Sequence, residues 1–504
     1  MKVYLAGYNI DATIIKELEG KVGKRDDLTP EVLSAAYARI SRDSRPINEI
    51  RATSRSEVER SRRSNSTIIF KMGHHSVAEH AVFNLDILGV SRFAMEELEK
   101  FRLCSYTEKS QRYITLNNDF VIPDEIKNTP LEKSFVAMIK EQNMMYSKLF
   151  DRLKEHVFKA NDDLAKDSKN HNLLEGWAKE DARYITALAT QSQVGQTINA
   201  RNLELVLRRF ASHPLCEIKQ LGRAIYEQIE PVAPSIIIFH NENDRDRKTY
   251  PELKELASQI IVKPVVGGQK QVQLVEFTPD GDNVIAAALL HTSSNLPFGQ
   301  CKDIVSNLSQ AKRAEIFKTA WKNIQFYDSV LREFEYVNLT FNVSMSSACF
   351  GQIKRHRMAT ITAQEYDLSL GVTIPETIKE VGMESDFLEI VKKTEEVYLD
   401  IKKVAPLAAP YILTNAHRKR VLIKVNAREL YHISRLREDT HAQWDIQNIS
   451  REMTDAAKGV MPLVFGLSGG KDSYNQLYQN IYGQMPDVTE AILPGVRKIN
   501  NQGV

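Results

Sequence analysis

SRFAMEELEKFRLCSYTEKSQRY, from Ser91 to Tyr113, and SACFGQIKRHRMATITAQEYDL, from Ser347 to Leu368, are two versions of one motif. Each has an apolar, helix-like approach, then a basic triplet (Lys100-Phe101-Arg102, later Arg355-His356-Arg357), then a polar stretch. The first version keeps the polar stretch and the second keeps the triplet. A binding site built by this motif therefore needs both copies.

Working outward, the duplication extends through most of the chain. Asn199-Ala200-Arg201 recurs as Asn426-Ala427-Arg428, and TPEVLSAAYARISRD at Thr29 to Asp43 resembles DGDNVIAAALLHTSSN at Asp280 to Asn295. The order of elements is the same in both halves, which is the mark of a repeated architecture. The triplets stand 255 residues apart and the NAR motifs 227, so the first copy carries about 28 extra residues between them, predicting a longer helical hairpin there. A seam falls at 241–269, where NENDRDRKTYPE is charged and VKPVVGGQ is rich in turn formers. The division read from the sequence is thus a first repeat at 1–240, a linker at 241–269, and a second repeat with a C-terminal tail at 270–504.

Periodicity sets the fold class. AVFNLDILGV (Ala81 to Val90) and YVNLTFNVSM (Tyr336 to Met345) alternate as half-buried strands do, and VQLVEFTP from Val272 adds another. LEKSFVAMIKEQNMMYSKLFDRLKEH (Leu131 to His156) and FLEIVKKTEEVYLDIKKV (Phe387 to Val404) have helical spacing. The pattern is α+β, an antiparallel sheet packed with long helices, repeated once. With 504 residues, 42% hydrophobic and 26% charged, the chain reads as a soluble globular protein large enough for several domains. A net charge of +2 gives no signal for nucleic acid or membrane, and the N-terminus carries no signal-peptide pattern. Cys104, Cys216, Cys301 and Cys349 are scattered without CxxC spacing, so they read as reduced thiols of a cytoplasmic protein.

GHHSVAEHAVF from Gly73, GVSR, SYTEKSQRY, the RHR triplet and NAR…LR…HAQW resemble, in this order, the flavin-dependent thymidylate synthase family. The resemblance implies FAD as cofactor and deoxyuridylate (dUMP) as substrate. It further implies methylenetetrahydrofolate as carbon donor, NADPH as reductant, and active sites between subunits of a tetramer. A fused two-copy chain is then expected to pair as a homodimer. The positions similar to the family's catalytic and nucleotide-binding groups are Gln352, Arg355 and Arg437 in the second half, with Glu108, Lys109, Ser110, Gln111, Arg112 and Arg183 in the first. His74 resembles the family's histidine near the reacting centre. Arg355, His356, Arg357, Asn426, Arg428 and His432, with Ser76, Glu79, Asn199 and Arg201, resemble flavin-contacting positions.

The opposite combination of halves is spoiled. Glu97 and Lys100 replace the glutamine and first arginine, Ala363, Glu365 and Asp367 replace the ExSxR residues, and Pro410 stands where Arg183 stands in the first copy. Acidic groups there repel a phosphate dianion. One nucleotide site per chain is expected, straddling the two halves.

The residues also make chemical sense alone. Gln352 and Arg355 are three apart on a helix-like approach, Arg112 is a fork-shaped phosphate donor, and Asn426 and Arg437 lie 11 apart, close to three helical turns. An arginine beside the uracil ring could stabilise charge developing there. Against this stand plainer readings. An RHR triplet alone is commonly a solvated helix end, and Trp444 is most simply core. His74, His75, Glu79 and His80 lack HExxH spacing, so no metal site is expected. SGGKDS at Ser468 to Ser473 looks like a pyrophosphate loop, but too little chain follows it for a nucleotide-binding domain, so it reads as a glycine turn. The rival functions are a flavin-dependent one-carbon transferase acting on another pyrimidine nucleotide, a catalytically silent nucleotide- or flavin-binding scaffold, and, more remotely, an ATP-dependent enzyme.

Overall fold

The computed structural model describes residues 1–11, 14, 28–39, 47–66, 75–111, 119–261 and 270–487. Two four-stranded sheets organise it. The first is built from β1 (Lys2–Tyr8), β2 (Val82–Ser91), β3 (Cys104–Glu108) and β4 (Gln191–Asn199), in the order β1-β2-β4-β3. The second uses β5 (Val272–Phe277), β6 (Asn338–Ser346), β7 (Thr360–Tyr366) and β8 (Arg418–Asn426), in the order β5-β6-β8-β7. The two orders are the same order, shifted by one copy. Both edge pairings also slip at matching places, between Leu5 and Gly7 and between Leu274 and Glu276. The tandem α+β architecture expected from the repeat is therefore what forms.

Six helices carry the residues of interest: α1 (Arg92–Leu98), α2 (Pro130–Ala160), α3 (Ala200–Ala211), α4 (Ser347–Ile353), α5 (Glu384–Val404) and α6 (Ala427–Arg437). Their starts repeat as faithfully as the strands. Ser91 and Ser346 each accept from the backbone N–H three residues on, at 3.0 Å, capping α1 and α4. Asn199 and Asn426 cap α3 and α6 in the same way, at 3.0 and 2.8 Å. Each such cap satisfies an orphan N–H and contributes about 1 kcal/mol. One local difference is β2, ten residues against nine in β6. The register shifts between Leu88 and Val90, and the intervening Gly89 has φ +70°, as a glycine bulge requires.

The chain divides into two compact units. One comprises 1–267, 346–357 and 366–418, and the other 268–345, 358–365 and 419–504. The first unit thus holds the first sheet together with α4 and α5 from the second half. Phe83, Leu85 and Ile87 alternate into its core, and α2 buries Phe135, Met138, Ile139, Gln142, Tyr146, Leu149, Leu153 and Val157 along one face at helical spacing. The extra residues of the first copy appear here. The 31-residue α2 and the helix His171–Ala182 stand where the second half has the 21-residue α5 and the five-residue helix Glu376–Glu380. Gln142 of α2 donates to Thr394 of α5 at 2.8 Å and to the Ile412 carbonyl at 3.0 Å, tying the two long helices.

A local twofold runs through the first unit. Ala187 bridges antiparallel to Thr414, its counterpart in the other copy. The flanking bonds come in matched pairs: Leu188 N to Leu413 O and Asn415 N to Thr186 O, then Ala189 N to Tyr411 O and Ala416 N to Tyr184 O, all 2.8–3.0 Å. An interface made twice by equivalent residues is what a symmetric dimer has. Here one chain supplies both sides.

The second unit packs Leu339, Phe341 and Val343 of β6 and Val421, Ile423 and Val425 of β8 into its core. Residues 244–260, inside the stretch read as the linker, form a helix (Asp244–Ile260) in the first unit. The turn-rich 262–269 lies outside the described residues. No helix among the described residues is long and apolar enough to cross a membrane.

Candidate active site

The site in the first unit is built around Glu108. Its position at the end of β3 buries the carboxylate against β4, where Ser192 donates to Oε1 at 2.9 Å. Arg92, the first residue of α1, places Nη1 2.9 Å from the same oxygen. Arg355, two residues past the end of α4, places Nη2 3.1 Å from Oε2. The polar-stretch carboxylate of the first copy and the triplet arginine of the second are thereby joined. Burial alone would raise the Glu108 pKa, but the charges of Arg92, Lys354 and Arg355 outweigh it and hold the group at about 2.

The cluster continues along the facing ends of α1 and α4. Lys354 lies 2.9 Å from Glu99 and donates to the Met95 carbonyl at 3.3 Å, both side chains being buried. Glu96 accepts from the Tyr366 hydroxyl at 2.5 Å and from Ser347 at 3.4 Å. Three cations (Arg92, Lys354, Arg355) face three carboxylates (Glu96, Glu99, Glu108), a balance that lets so much charge leave water. Burial, and then the neighbouring Glu96, push the Tyr366 phenol well above its ordinary range, so it stays a neutral donor.

The remaining predicted residues fall as follows. Gln352 is buried on α4 and His356 is buried beyond it, while Arg357 donates to the Cys104 and Arg102 carbonyls. Lys109 is exposed, with its N–H on the Gln193 carbonyl at 2.9 Å, and Ser110 is half-buried. Gln111 and Arg183 are buried around Asn415, whose Nδ2 donates to Gln111 Oε1 at 3.3 Å and to the Arg183 carbonyl at 3.1 Å. Glu108, Gln111, Arg183 and Arg355, from both halves, are thus gathered in one compact unit. Arg112 and His74 lie outside the described residues.

Four of the flavin-type positions, Asn199, Arg201, Asn426 and Arg428, occupy helix starts. Asn199 and Asn426 cap their helices, Arg201 pairs with Glu79, and Arg428 pairs with Glu335 at 2.9 Å while donating to the Val330 carbonyl at 2.9 Å. Ser76 is exposed in the turn His75–His80. His432 and Arg437 follow on α6 in the second unit, exposed and half-buried respectively.

At the counterpart positions the side chains pair with local partners. Lys100 is paired with Glu97 at 2.5 Å, and His213 lies 3.7 Å from Glu97. Burial works against ionisation of Glu97, yet these two partners bring it to about 2. Asp367, at the position of Arg112, accepts from the Ser369 N–H at 2.9 Å and hydroxyl at 2.6 Å, capping a short turn. SGGKDS behaves as the turn expected of it. The helix Trp444–Val460 and a turn lead into it, Asp472 accepts from Thr440 N at 3.1 Å, and the nine-residue helix Tyr474–Tyr482 follows.

Sequence reasoning missed Arg92, Glu96, Glu99 and Lys354. The available signal was the i, i+4, i+7 row Arg92, Glu96, Glu99, charged along one face of a helix whose counterpart reads Ser347, Gly351, Lys354.

Two sheets of one topology, capped helices repeated in register and a charge cluster shared by both copies define a tandem α+β protein with one candidate anion site in its first unit. The chain belongs to the thymidylate synthase complementing protein family, whose model matches residues 26–235 and 273–463. It is similar to UPF0159 protein Ta1429 of Thermoplasma acidophilum, 23% identical over 480 residues, covering 86% of this chain and 94% of that one. The flavin-dependent thymidylate synthase of Clostridium tetani is 28% identical over 34% of this chain and 68% of its own, and that of Pyrococcus abyssi 33% identical over 33% and 60%. A solved Helicobacter pylori flavin-dependent thymidylate synthase, complexed with FAD and dUMP, covers 48% of this chain and 100% of its own, with 18% identity and a TM-score of 0.30.

Proposed function

We propose that the chain is a flavin-dependent thymidylate synthase converting dUMP to dTMP, with one working nucleotide site assembled from both of its halves. The observation carrying this reading is the Arg355–Glu108 ion pair, which unites the retained triplet of one copy with the retained polar stretch of the other. Arg355 keeps its side chain 46% exposed although its partner carboxylate is fully buried, so a cation held from inside stays partly open to an anionic ligand. Arg183, Ser110 and Arg112 are the proposed phosphate and sugar contacts, with Lys109, Gln111 and Gln352 beside them. Arg437 is the proposed group that stabilises charge on the pyrimidine, and His74 a group near the reacting centre, both on the family resemblance.

The donor sets at the helix starts fit a dinucleotide. Arg201 and Arg428 are partly exposed guanidiniums in first turns, where helix N–H groups also favour anions. With Asn199, Ser76, Glu79, Asn426, His432, Arg355, His356 and Arg357, they are the proposed FAD contacts on the family resemblance. FAD, when bound, supplies the hydride; methylenetetrahydrofolate supplies the carbon and NADPH the reducing equivalents. Pairing of two chains to match the family's four units completes the proposal.

The test is direct. Purified protein supplemented with FAD is examined for a flavin spectrum, then for tritium release from carbon 5 of dUMP with NADPH and methylenetetrahydrofolate. Arg437→Ala should abolish release. A protein that takes up no flavin, or flavin-loaded protein that releases no tritium, refutes the proposal.

A further inference from the structure

Arg92 belongs to the first half but reaches the second. Its guanidinium lies over Gly351 of α4, where an added Cβ would stand 2.6 Å from Nη2. A glycine leaves that space, and in a close-packed interior little else can. Comparing the copies position by position, Ser347 stands where the first half has Arg92, Glu96 where the second has Gly351, Ala363 where the first has Glu108, and Lys100 where the second has Arg355. The same contact is therefore made twice around the local twofold. Once it is arginine over glycine, and once it is Ser347 against Glu96 at 3.4 Å. The arginine, its glycine and its carboxylate occur together on the side that has Arg355, and all three are replaced together on the other.

The geometry explains the association. Glu108 Oε1 is held by both Arg92 and Ser192, which prevents the carboxylate from turning and leaves Oε2 aimed at Arg355. We infer that Arg92 is a positioning residue, fixing the partly exposed Arg355 through Glu108, with Gly351 as the opening that admits it. That Arg355 then meets a nucleotide rests on the reading above; that Arg92 sets its geometry does not.

Gly351→Ala and Arg92→Lys test this without removing a charge. The first crowds the guanidinium and the second replaces its fork by a point donor. Both are expected to fold, with the dissociation constant for dUMP in calorimetry raised about tenfold, the loss expected when one charge-assisted hydrogen bond is misaligned. Because both act on one contact, the double variant should lose no more than the worse single. Crystal structures of the two variants should show Arg355 displaced from Glu108. If the parent binds dUMP and both folded variants bind it equally well, the inference is overturned and the proposed function stands. If the parent binds no pyrimidine nucleotide, the proposed function fails, and the structures decide. Arg355 displaced in Gly351→Ala supports the positioning role, whereas Arg355 still on Glu108 overturns it.

Discussion

Replacing Glu108 by glutamine should destabilise the protein by an amount that depends on pH in a calculable way. The folded carboxyl is held at about 2 against an ordinary value of 4.5. A depressed carboxylate pKa adds stability that is complete above the unfolded value and is lost as pH falls through the folded one. The corresponding stabilisation is on the order of a few kcal/mol at neutral pH. By the same linkage about half remains near pH 3, and very little below the folded value. Glu108→Gln keeps the shape and removes this contribution, leaving Arg92, Lys354 and Arg355 facing two carboxylates instead of three. Urea unfolding of both proteins, followed by circular dichroism at pH 7, 5, 4 and 3, should show a difference that is constant from 7 to 5 and shrinks below. A difference that stays the same from pH 7 to pH 3 would mean that Glu108 is not the buried ionised centre of this cluster, and the electrostatic reasoning would fall.

Other expectations follow from the asymmetry. Arg355→Ala should lower kcat/KM for dUMP by about a hundredfold or more, because a charged ligand contact is lost, while Lys100→Ala, which removes an exposed lysine from its pair with Glu97, should change it less than about twofold. Equal losses in the steady-state assay would contradict the single-site reading. A double-mutant cycle with Glu99→Gln and Lys354→Met should give a coupling of about 2 kcal/mol in denaturant unfolding, since both side chains are buried at 2.9 Å; additive effects would deny the pair. Gly89→Ala should cost about 1–2 kcal/mol in the same measurement. Its added Cβ would meet Met1 only at an ordinary 3.5 Å, so the strain is in φ, not in packing.

How much was legible beforehand differs by element. Strand alternation around Phe83 and Phe341, helical spacing in α2 and α5 and the repeated NAR and triplet motifs are local patterns, and each formed the expected element. The family resemblance, read against both copies, also singled out Glu108 and Arg355, because departures from its motif are visible position by position. The partners of these residues were not legible. Arg92, Lys354 and Glu99 look like ordinary helix charges until α1 and α4 meet, and Gly351 looks like a weak helix residue until a guanidinium fills its place. The amino-acid sequence by itself determined that this protein is one α+β unit written twice, and which halves of its motif survive. Only the tertiary structure decided that Glu108 is ionised, which cations hold it and how Arg355 is presented. Secondary structure follows from neighbours a few residues away, whereas burial and charge pairing depend on residues some 250 positions apart brought together by a twofold interface.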